Sequence, residues 1–324
     1  MNKKWHQILS FLVMCAVFLA AVLPAFASDT SPASIFTIDE AYQYPVLPGT
    51  KEWQNLDTLE DKIEACHVDE ELLASMTTSA LLETVLTYPL FINIYAFGSV
   101  EAGMENMSLY FPGITLLAAR EDANDCLLEY VQTTKQAREE IPTISNMNIR
   151  ALSYYLGEHS GNESSDSYED YPATKSTPAY VYTPKNHAVR VEANQTWDEL
   201  GYTYAEALEV EQAYLGMYSI AKITVPNPTY NCHSYAWYSN EPSTNKYWMR
   251  DPSLYMTDGS YTQMSSPAVT YKVHWTIGDH SGIVGSATGV GGNPTIVSKW
   301  GALGVYWHPL LDCPYYGGVT YWTR

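Results

Sequence analysis

The chain has 324 residues, 46% of them hydrophobic and only 16% charged, with 17 basic and 36 acidic side chains and a formal net charge of −19. That acidity argues against nucleic acid or an anionic lipid surface as a partner. The length and apolar content supply core for about two domains, and five cysteines with no CxxC pair and no Cys/His cluster of zinc-ligand spacing speak against a structural metal.

Lys3 and Lys4, an apolar run from Ile8 to Leu23, and Pro24 before Ala25-Phe26-Ala27 have the layout of a secretory signal with a small-x-small cleavage site. Residues 1–27 are therefore read as a cleaved signal peptide and the protein as secreted. The alternative is an uncleaved anchor, since the run approaches the roughly 18 apolar residues that span a bilayer. No later segment reads as a membrane span. Cleavage removes two lysines and no acid, leaving 15 basic against 36 acidic residues, net −21. Export also permits disulfides: Cys66 with Cys126 is the first pairing to consider, two buried free thiols the alternative.

Residues 28–157 read as a mostly helical domain. Asp69-Glu-Glu opens one helix, and Leu72, Leu73, Met76, Leu81, Leu82, Val85 and Leu86 keep a broad apolar face. Thr77 or Ser79 caps a second, with Glu83 placed for a capping box and Tyr88-Pro89 as its end. A further helix is expected over Glu121 to Glu140. Residues 158–178 have the Gly, Asn, Ser, Asp and Glu composition of a solvated linker. The connecting stretch 179–222 carries strands at Ala179-Tyr-Val-Tyr and Ala188-Val-Arg-Val and a helix from Thr196 to about Tyr218. From 223 to 324 the texture is short β segments rich in Tyr, Trp, Val and Thr, with a turn at Asp258-Gly259 and a hairpin from Val284 to Ile296.

The chemistry-bearing residues lie in this last region. Thiol catalysis needs a cysteine ionised by an imidazole and, preferably, by a helix start. Pro228-Thr-Tyr-Asn-Cys232 runs from a Pro- and Asn-bearing loop into a short apolar stretch suited to such a helix. Gly278-Asp279-His280-Ser281-Gly282 supplies a turn, an imidazole and small residues at the start of a strand, 48 residues further on.

These motifs bring a resemblance with them. Tyr230-Asn-Cys-His-Ser-Tyr-Ala-Trp-Tyr238, Tyr255-Met-Thr-Asp-Gly-Ser-Tyr261, Asp279-His-Ser-Gly-Ile-Val284 and Ser298-Lys-Trp-Gly301 look like secreted bacterial CHAP-like proteins of the papain-like superfamily that includes NlpC/P60. The resemblance covers roughly 223–324, with a looser one through Met76-Thr-Thr-Ser-Ala-Leu-Leu-Glu-Thr-Val-Leu-Thr-Tyr-Pro89. It implies an α+β chain in which a cysteine helix packs on an antiparallel sheet, preceded by the helical domain. It further implies Cys232 as nucleophile, His280 as general base, and peptidoglycan or a peptide as substrate, with no cofactor. The residue that orients the imidazole departs from the pattern: NlpC/P60 proteins place a His, and CHAP proteins a Glu or Asn, where this strand reads Ile296-Val-Ser-Lys-Trp-Gly301. Ser298 stands nearest that place, and His308 is the second candidate.

Other readings stay open beside this one. In one, Cys232 is a core thiol or is paired with Cys313, which removes the nucleophile. In others, the domain is a degenerate papain-like binding module or a peptidase acting on proteins. His233, about 100° around a helix from Cys232, reads as structural or substrate-facing, and His274 as solvent-facing. Trp237, Trp248, Trp275, Trp300 and Trp307 either line a groove, with Trp237 and Trp300 as the substrate-binding candidates, or form core.

Overall fold

The computed structural model describes residues 37–136, 141–159, 176–289 and 292–324. The expected signal at 1–27 and most of the expected linker lie outside them.

The helical region is built by short capped helices. Thr50 caps Lys51–Gln54, Thr58 caps Leu59–Ala65 in a capping box with Asp61, and Ser99 caps Val100–Ser108. Thr77 caps Thr78–Leu86 by accepting from the Ala80 N–H, so the residue placed for a capping box is Ala80 and Glu83 takes no part. The helix over Ala123–Gln136 occupies the expected stretch, and Thr143–His159 follows it. The single helix expected from Thr196 is instead two pieces. A 3-10 turn at Asp198–Leu200 stops where Gly201 adopts a left-handed φ of 72°. Thr203 and Glu206 then form a capping box that starts Tyr204–Met217 afresh.

The strands are β1 (Thr177–Tyr182), β2 (Ala188–Ala193), β3 (Ala221–Lys222), β4 (Tyr247–Trp248), β5 (Thr262–Met264), β6 (Lys272–Trp275), β7 (His280–Ser286), β8 (Thr295–Lys299), β9 (Val305–Pro309) and β10 (Val319–Thr323). They form a sheet ordered β1-β2-β4 and a larger one ordered β3-β9-β8-β7-β6-β10-β5, with antiparallel pairing throughout. The fold is thus mixed helix and sheet.

Alternation along the strands divides the larger sheet into two chemically different faces. Val273, Trp275, Val284, Ile296 and Tyr306 are buried in the same apolar core as the helical residues Leu81, Phe91, Met104 and Tyr214. The region 28–157 and the strands of 223–324 therefore share one core. A buried ion pair, Lys62 to Asp312 at 2.7 Å, and the Tyr315 hydroxyl donating to the Ala96 carbonyl at 2.7 Å tie them further. On the opposite face Ile283, Val297 and Val305 pack against Tyr230 and Tyr235. Ala236 and Trp237 meet Val181, Val189 and Val191 of the smaller sheet. The segment that carries Cys232 is thereby held between the two sheets.

Candidate thiol site

Asn231 opens that segment as a cap. Its Oδ1 accepts from the backbone N–H groups of Ser234 (3.2 Å) and Met249 (3.1 Å), and its Nδ2 donates to the Met249 carbonyl at 2.6 Å. Cys232 and His233 begin the helix, and Ser234–Tyr238 continue it as a π-helical turn. At seven residues this helix lends little macrodipole. The thiol's electrostatic setting comes from side chains instead.

His233 is buried, with Nδ1 2.9 Å from Ser281 Oγ and Nε2 3.1 Å from Asp279 Oδ1. Burial alone would push this imidazole down, but the neighbouring Cys232 and the Asp279 carboxylate outweigh it and hold His233 up at about 10. Asp279 itself is exposed, so solvent on its outer side weakens the pair. It sits at a left-handed φ of 41°, a conformation Asp tolerates better than most residues, and this turn aims its carboxylate at His233.

The hydrogen bonds at Ser281 place the protons. Its Oγ accepts from the Trp237 indole N–H at 2.9 Å and lies 2.9 Å from His233 Nδ1 and 3.1 Å from His274 Nδ1. A hydroxyl has one proton and two lone pairs, so with Trp237 on one lone pair, one imidazole must donate and the other accept. Burial, and then the charge of His233, push His274 down to about 4, which makes it the neutral acceptor. His233 is left donating from both nitrogens, to Ser281 and to Asp279, as an imidazolium beside Cys232.

Cys232, His233 and Asp279 share a cavity of about 90 Å³, small beside the ~300 Å³ at which ordinary ligand pockets begin. Trp248 and Arg250 form one wall. The helical region closes another with Ala96, Phe97 and Gly98, held down by Tyr315 and by Gly301, where an added Cβ would stand 2.6 Å from the Phe97 carbonyl.

The structure groups the sequence candidates differently. His280 lies fully buried on the sheet face opposite Ser281, its ring stacked on Tyr315 at 3.4 Å between centroids and 4.8 Å from Trp275. Among the described residues neither ring nitrogen has a hydrogen-bond partner, Cys232 included, and His280 is not in the cavity wall. Burial, then the charges of His308, His233 and His274, push it well below the usual imidazole range. Ser298 and His308, the two candidates for the third position, meet each other: Ser298 Oγ is 2.8 Å from His308 Nε2 and accepts from the Trp300 indole at 3.1 Å. Burial pushes His308 down to about 4.

Trp237 and Trp300 are both buried core residues, and Trp248 is the tryptophan that reaches the cavity. His274, expected to face solvent, is half-buried on the Ser281 hydroxyl. Cys66, Cys126, Cys232 and Cys313 are all free thiols, so neither a Cys66–Cys126 nor a Cys232–Cys313 bridge forms.

Nothing in the sequence reading pairs His233 with Asp279 and Ser281, as the structure does. The legible signal was strand period: His280 is in phase with the apolar Val284, which belongs to the core, whereas Ser281 alternates to the other face. Among the described residues no group of three or more His, Cys, Asp or Glu side chains could hold a metal ion, and no helix is long and apolar enough to cross a membrane. No protein-family model matches this chain, and neither a curated protein nor a solved structure matches it.

Proposed function

We propose that the protein is a secreted thiol hydrolase of papain-like type that cleaves an amide bond, with Cys232 as nucleophile. The observation that carries this reading is the juxtaposition at one cavity of Cys232 with an imidazolium, His233, that is tied to a carboxylate. The thiolate sulfur attacks the substrate carbonyl carbon and the C=O electrons move to oxygen. As the C–N bond breaks, the Nε2 proton of His233 moves from its hydrogen bond with Asp279 to the leaving nitrogen, which leaves a thioester on Cys232. Water, losing its proton to the now neutral His233, attacks that thioester and releases the acid. The small cavity suits a small acyl residue. The resemblance of the 230–238, 279–284 and 298–301 segments points to peptidoglycan amide links, and the chemistry needs no cofactor.

This reading moves the acid–base role from His280, where the sequence placed it, to His233 with Asp279 positioning it. The unpartnered, neutral His280 keeps a second form of the mechanism open, and a Cys232 that never ionises leaves a binding module. Peptide-resolved iodoacetamide labelling of Cys232 at pH 6, where an ordinary thiol is under about 1% ionised, separates the three. Fast labelling that His233→Gln abolishes supports the proposal. Loss only in His280→Gln returns the base role to His280. Labelling at the rate of an ordinary thiol overturns the enzyme reading, as does unchanged release of peptidoglycan fragments by Cys232→Ala.

A further inference from the structure

Lys299 ends β8 with no exposed surface, and no carboxylate lies within ion-pair distance of it among the described residues. Its Nζ donates to three backbone carbonyls, Asn227 at 2.9 Å, Gly301 at 2.8 Å and Leu303 at 2.6 Å, and lies 4.9 Å from the Tyr230 ring centroid. A neutral amine has two N–H groups and one lone pair, so three surrounding carbonyls would leave that lone pair facing an oxygen. An ammonium, with three donors, satisfies all of them. An unpaired buried ammonium is costly, and such groups are retained where the charge has a use.

Its neighbours indicate the use. Continued by two residues, the Ile283–Val297 register sets Lys299 across from Ser281, the hydroxyl that binds His233, on the sheet face that Val297 shares with Tyr230 and Tyr235. Burial holds Lys299 well below the ordinary lysine range, and the charges of Cys232 and then Glu211 offset this only in part; the three carbonyl acceptors are what favour the ammonium. Glu211 is already engaged by the Tyr306 hydroxyl and by Lys222. We infer that Lys299 is a positioning residue for Cys232, a fixed interior cation that favours the thiolate and pins the two backbone segments, 227–232 and 299–303, that flank it. The inference rests on the reading of Cys232 as a nucleophile. The other charged groups at the cavity are His233 beside the thiol, Asp279 before β7 and Arg250 after β4. The helical region contributes only uncharged residues from Ala96 to Ser99 and Ala102.

The test is the pH profile of Cys232 alkylation between pH 5 and 10 in the whole protein, wild type against Lys299→Met, read on the Cys232 peptide. The expected result is a labelling rate about tenfold lower at pH 6 with the pH 10 plateau held within about twofold, because charge moves the midpoint and not the intrinsic reactivity. Equal losses at both ends mean a disturbed backbone only and overturn the inference, as does an unchanged profile. A wild-type Cys232 with ordinary pH dependence overturns the nucleophile reading as well. Should Lys299→Met fail to fold, the reciprocal measurement uses the native lysine. In wild-type protein with 13Cε-labelled lysine, the Lys299 titration midpoint should fall when Cys232 is carbamidomethylated, since linkage is mutual. Equal midpoints overturn the inference.

Discussion

Asn231 bears more of the site than its one side chain suggests, and Asn231→Ala should show it. The substitution removes the helix cap, worth about 1 kcal/mol, together with both hydrogen bonds to Met249. Asn231 is 4% exposed, so the Met249 N–H and C=O lose their partners where water does not reach readily, at about 1–3 kcal/mol each. The total is about 3–7 kcal/mol, which for a chain of this size lowers Tm by about 10 °C or more. Asn231→Asp keeps the acceptor toward Ser234 and Met249 and loses only the donor to the Met249 carbonyl, so it should cost about half as much. It also sets a negative charge beside Cys232 and should slow thiol labelling at pH 6, an effect alanine lacks. Denaturant unfolding of both variants and the pH 6 labelling rate are the measurements. A loss below about 1 kcal/mol for alanine, or equal labelling in the two variants, would refute the account.

Two further outcomes follow from the histidines and from one glycine. His274 and His308 are pushed down to about 4 and His280 well below the usual imidazole range, so all three are neutral in the fold, and the stability they contribute is present above the unfolded value of about 6.5 and lost as pH falls below it. His233, held up at about 10, has the opposite sign: its contribution is complete below about 6.5 and lost as pH rises through 10. Unfolding free energy should therefore peak near neutral pH and fall on the acid side by up to about 1.4 kcal/mol per pH unit for each buried histidine. His308→Gln should remove one such share, and a flat curve from pH 6.5 to 4.5 would contradict the assignment. Gly301 has a φ of 50° and no room for a Cβ against the 95–97 carbonyls, so Gly301→Ala should lower Tm by several degrees and, by loosening the cavity wall, change Cys232 labelling.

What was legible in the sequence was local. The Thr77 cap, the β texture after residue 223, the β7–β8 pairing and Cys232 at the opening of a helix all rest on short-range propensity, which a few neighbouring residues decide. Motif resemblance likewise reads spacing along the chain, and it singled out Cys232 and the 279–284 strand. It could not read direction across the sheet. Whether His280 or Ser281 turns toward the cysteine depends on which face the helical region covers. That is settled only when Trp275, Val284 and Ile296 find their core with residues some 200 positions earlier. The same packing brings Ala96 to Gly98 onto the cavity, engages Ser298 with His308, and surrounds the Lys299 ammonium with three carbonyls. His233 adjoins Cys232 in the chain, but its Asp279 and Ser281 partners and the helical wall of the cavity come from distant positions, so tertiary structure decides what that imidazole is bonded to.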